Sequence, residues 1–180
     1  TSAVATILDQ AGLKPGYFVG GIPKDLPGSI RPPAVDLPPA QRVVVLEGDE
    51  YDSAFFSKFS KFHSYRPDIA ILTSLEFDHA DIFASMEDIE REFTGFVARV
   101  PANGLVLVCD EDEQLVDLAA RWQRDGTVKA ELAFYGSRAD SKYRLLKREQ
   151  LDPAGKLAVT LGTEDALAQE LPLSLSGVEL

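Results

Sequence analysis

Short apolar runs alternate with segments of helical period through the middle of this sequence, and few folds accommodate that pattern. Four runs carry no charge, as is typical of strands buried on both faces of a sheet; they span residues 43–46, 69–72, 105–108 and 132–135. Residues 85–100 and 115–122 repeat apolar side chains with the period of an α-helix, and Ser85 is a suitable N-cap for the first of them. The alternation predicts an α/β fold, a mostly parallel sheet flanked by helices on both faces.

The two ends of the sequence follow different patterns. A helix is predicted for residues 2–13, and a short apolar run follows at residues 17–19. Six of the eleven prolines then fall within residues 23–41, which predicts a long loop because proline lacks the N–H that a strand donates. From residue 136 to 175 the sequence predicts an antiparallel extension, in which turns link short strands at 143–149, 157–161 and 171–175.

Charge and cysteine content exclude several classes of protein. The chain of 180 residues has the length of one large domain. Its net charge of −11 argues against binding to nucleic acid or to an anionic membrane, since both require clustered Lys and Arg. The single cysteine, Cys109, forms no intrachain disulfide, and no Cys/His cluster offers a zinc site. With no apolar run long enough to cross a membrane, the sequence predicts a protein of the reducing cytoplasm.

Carboxylates and one imidazole follow two of the predicted strands at the point where each strand ends. Residues 47–52 come directly after the strand 43–46, and residues 73–81, which include His79, come after the strand 69–72. Ligands of open α/β sheets bind beyond the carboxyl ends of the strands, so we expect both clusters and the start of the first helix at one edge. Such a group suits a divalent cation beside a phosphate. Acidic turns also cap helices, and either cluster alone is as consistent with that role.

The same two clusters carry a resemblance to a known family. Residues 47–56, EGDEYDSAFF, and residues 71–83, ILTSLEFDHADIF, resemble the central ATPase domain of the Mur ligases. The linking residues 57–67, SKFSKFHSYRP, are similar to the branch that ligates a murein peptide rather than L-alanine. The opening Thr1-Ser2 and the later GGIP of residues 20–23 resemble the segment that comes after the phosphate loop in this family. The resemblance implies a P-loop NTPase-like fold, with residues 1–180 as a single central ATP-binding domain of a larger chain.

The resemblance also implies an activity. In the Mur ligases, ATP phosphorylates the lactyl carboxylate of UDP-N-acetylmuramate, and the free amine of an amino acid or peptide then attacks the acyl phosphate. We therefore expect an ATP-dependent amide ligase of peptidoglycan recycling or biosynthesis that uses ATP and Mg²⁺. The expected substrates are UDP-N-acetylmuramate and L-Ala-γ-D-Glu-meso-diaminopimelate, and the expected protein partners are the N- and C-terminal domains of the same parent chain.

Roles for individual residues follow from the matching motifs. Glu47 and His79 are implied to be catalytic metal ligands, and Thr1 to be the last hydroxyl residue of the phosphate loop. Further positions are expected to support the metal site or to face the muramoyl substrate: Asp49, Ser74, Asp78 and Asp81 for the metal, and Gly21, Ser29 and Arg31 for the substrate. A surface excursion that leaves Arg31 in solvent is equally consistent with the sequence.

Departures from the family pattern keep alternatives open. The family's Gly-Lys-Thr phosphate loop does not occur in this sequence, so we expect the isolated chain to be inactive. Ser74 stands where relatives usually have asparagine, and no lysine lies between Ala80 and Ala98, where several relatives carry a carbamylated one. The second metal site is therefore expected to be completed differently, or by water. The alternatives are an L-alanine ligase, a metal-dependent hydrolase that needs no ATP, and a non-catalytic domain that binds metal or nucleotide.

Overall fold

The computed structural model describes residues 1–48, 52–54, 57–75, 83, 85–150, 157–163 and 166–171. The chain divides into two compact units. The first comprises Thr1–Gly48, Lys147–Val159 and Glu170–Leu180, and the second comprises Asp49–Leu146 and Thr160–Gln169. No helix in the described ranges is both long enough and apolar enough to span a lipid bilayer.

The first unit packs one helix against a small sheet. Helix α1 (Ser2–Gln10) is followed by strands β1 (Gly16–Phe18), β2 (Ile30–Arg31) and β3 (Val44–Leu46). Strand β1 lies in the middle, parallel to β3 and antiparallel to β2. Because Tyr17 is in register with Val45, both side chains lie on the same face of the sheet, and they pack with Ala5 of α1 and with Leu26. Residues far apart in the chain thus build this small core.

The second unit contains the parallel sheet that the sequence predicts. Strands β6 (Ile69–Leu72), β7 (Leu105–Cys109) and β8 (Glu131–Gly136) are adjacent, parallel and in the order of the chain. The sheet continues through β9 (Tyr143–Gln150), β10 (Leu157–Thr163) and β11 (Ala166–Leu171). Strand β9 pairs in parallel with β8, where a hairpin is predicted, because the spacing of short strands indicates their length but not their direction. Strand β11 reaches Leu171, the first residue of the strand predicted at 171–175, and the other residues of that prediction lie outside the described residues.

Helices α2 (Met86–Val97) and α3 (Glu113–Asp125) lie on the same face of that sheet. Right-handed crossovers between strands added in one direction place their helices on one side, which explains the arrangement. The helices join the apolar core through Ile89, Phe93, Leu115 and Trp122, and the Trp122 indole donates to the Thr94 hydroxyl at 2.9 Å. The prediction of helices on both faces is not met in the described part of this unit, where Ile69 and Ile71 are 58% and 44% exposed on the opposite face.

Two segments contain structure that the sequence does not predict. Strands β4 (Asp52–Ala54) and β5 (Ser57–Ser60) form an antiparallel hairpin, followed by a 3-10 helix at Lys61–Ser64. The proline-rich stretch includes β2 and a second 3-10 helix at Pro39–Gln41. The prediction that this stretch is entirely loop is therefore wrong. Ile30 and Arg31 pair with β1, and a strand of two residues leaves no pattern in the sequence.

The α/β class and the mostly parallel sheet are confirmed. The expectation that the strands at 43–46 and 69–72 share one sheet is not met among the described ladders, where β3 pairs with β1 and β6 with β7. Apolar runs identify strands, but not their burial on both faces, since Val44 and Leu46 of β3 are 51% and 47% exposed. The order of the strands depends on hydrogen bonds between distant segments.

Candidate functional site

A polar cavity lies at the N-terminus of helix α1, in the first unit. Its volume is about 160 Å³. The lining residues come from the start of α1, from the segment after β1 and from the residue after β3: Thr1, Ser2, Val19, Gly20, Ile22, Pro23 and Glu47. Thr1 makes no side-chain capping bond to the first turn of the helix. The first backbone N–H groups of a helix lack intrahelical acceptors, so this end of α1 favours a negatively charged group.

Glu47 reaches this cavity because strands β1 and β3 are parallel and end together. The Glu47 backbone N–H donates to the Phe18 carbonyl at 3.1 Å, which continues the ladder by one residue. One oxygen of the Glu47 carboxylate accepts a hydrogen bond from the Gly20 backbone N–H. A Cβ atom on Gly20 would lie 3.3 Å from that oxygen, so a glycine permits this close approach. The carboxylate is thereby held at a fixed place on the cavity wall.

Hydrogen bonds hold the segment between β1 and β2 close to the end of β1. The Val19 N–H donates to the Ser29 carbonyl at 2.9 Å, and the Ser29 hydroxyl donates to the Gly21 carbonyl. Gly21 has φ +103°, a conformation that side-chain-bearing residues rarely adopt. Gly21 and Ser29 are therefore directly bonded neighbours of the segment that lines the cavity.

Arg31 does not extend freely into solvent. Its guanidinium donates to the Asp9 carboxylate at 2.7 Å and to the Pro15 carbonyl at 2.9 Å, and it lies 4.9 Å from the centre of the Tyr17 ring. The hydrogen bond with Asp9 raises the pKa of Arg31 above its ordinary value. These contacts fasten β2 to α1 and to the strand beside it.

In the second unit, the turn that follows β7 braces the ends of both neighbouring strands. Asp110 is 1% exposed, and its carboxylate accepts from the backbone N–H groups of Ser137 and Arg138 at 3.2 and 3.1 Å and from the Ser141 hydroxyl. These bonds fix the segment after β8. Because all three donors are uncharged, the arrangement stabilises the carboxylate by hydrogen bonding rather than by an ion pair.

Asp112, at the other end of that turn, serves the strand on the opposite side. One of its oxygens accepts from the Leu115 N–H at 2.9 Å and so caps α3. The other accepts from the Leu75 N–H at 2.6 Å, just after β6. The sequence reasoning missed both Asp110 and Asp112, although the rule that identifies Glu47, a carboxylate directly after a parallel strand, applies to them as well.

Tyr135 of β8 also binds the end of β6. Its hydroxyl donates to the Leu72 carbonyl of β6 at 3.2 Å, across the intervening β7. Burial, together with Cys109 and the negative charges of Asp110 and Glu111, raises the pKa of Tyr135 to about 12. The phenol therefore stays protonated and keeps donating over the whole neutral range.

This pKa gives a testable dependence of stability on pH. The folded chain holds the Tyr135 proton more tightly than the unfolded chain, whose tyrosine has the ordinary pKa of 10.0. The stabilisation is therefore complete below pH 10.0 and is lost as the pH rises to about 12. We expect Tyr135→Phe to reduce that loss by about 1 kcal/mol, after allowance for partial solvent screening. Urea unfolding of both proteins across this range measures the difference, and parallel curves would contradict the assignment.

The residues predicted to bind metal or nucleotide fall into three groups. Thr1 and Glu47 line one cavity. Ser74 is half-buried beyond the end of β6, next to the residue that Asp112 holds. Four predicted residues lie outside the described ranges: Asp49, Asp78, His79 and Asp81.

The remaining histidine and the cysteine have ordinary surroundings. His63 is on the surface, with Nδ1 3.2 Å from the Glu92 carboxylate, as a surface or packing histidine would be. Cys109 is half-buried at the end of β7. Within the described residues no three or more His, Cys, Asp or Glu side chains come together as a metal-binding group.

Known proteins resemble this chain in sequence and in fold. A profile of the Mur ligase middle domain matches residues 3–175. The UDP-N-acetylmuramate–L-alanyl-gamma-D-glutamyl-meso-2,6-diaminoheptandioate ligase of Escherichia coli (strain K12) is 42% identical over 116 residues, covering 64% of this chain and 24% of that protein. The UDP-N-acetylmuramate–L-alanine ligase of Paenarthrobacter aurescens (strain TC1) is 33% identical over 148 residues, covering 81% of this chain and 28% of that protein.

A solved structure agrees with these relatives. The UDP-N-acetylmuramate:L-alanyl-gamma-D-glutamyl-meso-diaminopimelate ligase from Neisseria meningitides superposes with a TM-score of 0.68 at 35% identity, covering 88% of this chain and 47% of that one. The chain thus spans about a quarter of the curated relatives' length. Since the family profile covers nearly all of it, the chain belongs to the Mur ligase middle domain family.

Proposed function

We propose that this chain is the central ATP-binding domain of a cytoplasmic amide ligase of peptidoglycan recycling. The reaction joins the lactyl carboxylate of UDP-N-acetylmuramate to the free amine of L-Ala-γ-D-Glu-meso-diaminopimelate, and ATP is converted to ADP and phosphate. The observation that carries the proposal is the cavity that Thr1 and Glu47 line together at the N-terminus of α1. The 42% identity to the E. coli ligase supports the choice of substrates.

The residues of the cavity fit a magnesium–phosphate ligand. Protein-bound Mg²⁺ is typically held by one or two carboxylates together with substrate phosphates and water. Glu47 supplies such a carboxylate, and Gly20 fixes its orientation through a backbone hydrogen bond. The unpaired N–H groups at the start of α1, with the Thr1 hydroxyl, suit phosphate oxygens. When bound, magnesium neutralises charge that develops on the transferring phosphoryl group.

Other residues enter the proposal through the family motif. We assign His79 as a ligand of a second metal ion, with Asp78, Asp81, Asp49 and Ser74 in support. Histidine is an unusual ligand for so hard a cation, and its place here rests on the motif match alone. Gly21 and Ser29 are proposed to face the muramoyl substrate, since they adjoin the cavity wall. The contacts of Arg31 favour a supporting role behind them.

An L-alanine ligase is the second candidate, because the P. aurescens enzyme matches a larger share of this chain, 81%. The amine substrate separates the two. The full-length protein that carries this chain is incubated with ATP, Mg²⁺ and UDP-N-acetylmuramate, and either the tripeptide or L-alanine is added. We expect phosphate release and a UDP-linked muramoyl tripeptide, detected by mass spectrometry, with the tripeptide only.

The other results of this assay are equally informative. A product with L-alanine alone would show that the second candidate, the L-alanine ligase, is correct. Phosphate release that does not depend on either amine would indicate a hydrolase. No nucleotide turnover and no product with any amine would favour a non-catalytic domain.

A further inference from the structure

The Asp112 carboxylate holds two elements at once. Its two oxygens accept backbone hydrogen bonds from Leu115, in the first turn of α3, and from Leu75, just after β6. We infer that Asp112 is a positioning residue that sets how the chain leaves β6, and hence the affinity of the enzyme for its divalent cation. This inference rests on the proposed function, because it concerns the motif assigned there to the second metal ion.

Helix capping requires only one of these two bonds. A single oxygen acceptor at the N-cap satisfies the first turn of a helix, and serine or asparagine performs that task as well as aspartate does. The second oxygen of Asp112 is used for a different strand, 37 residues away in the chain, and its N···O distance of 2.6 Å is the shorter of the two. An ionised acceptor strengthens the bond to the Leu75 N–H. The choice of aspartate at this position therefore serves the end of β6.

Leu75 is a suitable point to hold the segment. Its side chain is 2% exposed and belongs to the core under α2 and α3. Its N–H is therefore in a region where an unpaired donor is unfavourable, and loss of the Asp112 oxygen would force the backbone to move. Ser74 immediately precedes Leu75, and Asp78, His79 and Asp81 follow it within six residues. Because these residues follow Leu75 so closely in the sequence, we expect the position of Leu75 to affect the proposed metal motif.

Asp110, in the same turn, binds the segment after β8 and not the segment after β6. Its bonds go to Ser137, Arg138 and Ser141, after β8, and none of them is shared with Asp112. Glu111, an exposed acidic residue, lies between Asp110 and Asp112 in the sequence. The turn thus provides an internal comparison, an exposed charge adjacent to Asp112 that can be neutralised without changing the acceptor for Leu75.

Two variants remove the Leu75 bond but keep the helix cap. Asp112→Asn retains one oxygen for Leu115 and presents an amide donor where Leu75 needs an acceptor. Asp112→Ser caps through its hydroxyl and has no second oxygen. Glu111→Gln is the control, because it removes one negative charge from the same turn. All are made in the full-length ligase, and thermal unfolding establishes that each variant folds.

Hydrogen exchange and metal dependence are the two readouts. We expect the Leu75 amide to lose protection in both Asp112 variants and to keep it in Glu111→Gln. The Mg²⁺ concentration for half-maximal activity should rise about tenfold or more in both Asp112 variants, the range seen when partners that orient metal ligands are removed. Activity at saturating Mg²⁺ should recover most of the wild-type value, which a merely destabilised protein would not do.

The failures are distinguishable. If wild-type activity requires Mg²⁺ and the Asp112 variants show an unchanged Mg²⁺ requirement, the positioning role is wrong and the proposed function stands. An equal shift in Glu111→Gln would mean that the charge of the turn, not the Leu75 bond, is responsible, and this too would overturn the inference. If the wild type needs no divalent cation, the proposed function itself fails.

Discussion

Replacing Glu47 with alanine in the full-length ligase is expected to lower the rate of ATP-dependent ligation by about a thousandfold or more, since a lost metal ligand removes several kcal/mol of transition-state stabilisation. Glu47 is the carboxylate in the wall of the α1 cavity, and it is already oriented by the Gly20 N–H. Steady-state phosphate release with the tripeptide substrate measures the effect.

Glu47→Gln separates the two functions of this side chain. Glutamine keeps an oxygen that accepts from Gly20, but it has no charge to offer a cation. We expect it to fold like the wild type and to be nearly as inactive as the alanine variant. Asp36→Asn is the control, because Asp36 is an exposed acid of the same unit that pairs with Lys14 and does not line the cavity. A ligation rate within tenfold of wild type in Glu47→Gln would contradict the metal-ligand role.

Gly136→Ala is expected to have the largest effect on stability, a loss of about 3–5 kcal/mol. Gly136 has φ +147°, and a Cβ atom there would lie 2.0 Å from the Asp110 carboxylate. Asp110 cannot withdraw without giving up its bonds to the segment after β8. A loss of this size is a large part of the total stability of an ordinary domain. Urea unfolding of the 180-residue chain measures it.

Gly12→Ala provides the matched control. Gly12 also has a positive φ, +79°, but a Cβ atom there would meet nothing within 4 Å. It should therefore cost about 1 kcal/mol from backbone strain alone. A double-mutant cycle with Asp110→Ala tests the contact itself, since removing the carboxylate should recover part of the Gly136→Ala loss. Equal losses for both glycines would contradict a role for Asp110.

Local patterns were sufficient for several helices and strands of the two units. The periodicity of residues 85–100 and 115–122 corresponds to α2 and α3, and Ser85 caps α2 as predicted. The apolar runs correspond to β3, β6, β7 and β8. These elements are predictable because burial imposes a period of its own on each segment.

Features that depend on contacts between distant segments were not predictable. The two residues of β2 are a strand only because β1 lies beside them, and the role of Arg31 appears only when the excursion returns to Asp9 and Tyr17. The hairpin of β4 and β5 begins at the last residue of the acidic cluster 47–52, in a segment for which the sequence predicts no strand. Which strands share a sheet is decided by such pairings as well.

The candidate site shows the same division. Glu47 was identified from its position after a strand, and the structure places it in the cavity with Thr1. The two hydrogen bonds of Asp112 cannot be predicted locally. An aspartate that only caps a helix looks the same in the sequence as one that also binds the segment after another strand. The proposed second ligand, His79, comes from the family motif and lies outside the described residues.

A crystal structure of the full-length ligase with Mg²⁺ and a non-hydrolysable ATP analogue tests the central claim most directly. We expect a Glu47 carboxylate oxygen about 2.1 Å from a magnesium ion, with the terminal phosphates of the nucleotide at the N-terminus of α1. A structure in which magnesium and nucleotide are bound while the Glu47 carboxylate contacts only the Gly20 N–H would contradict it.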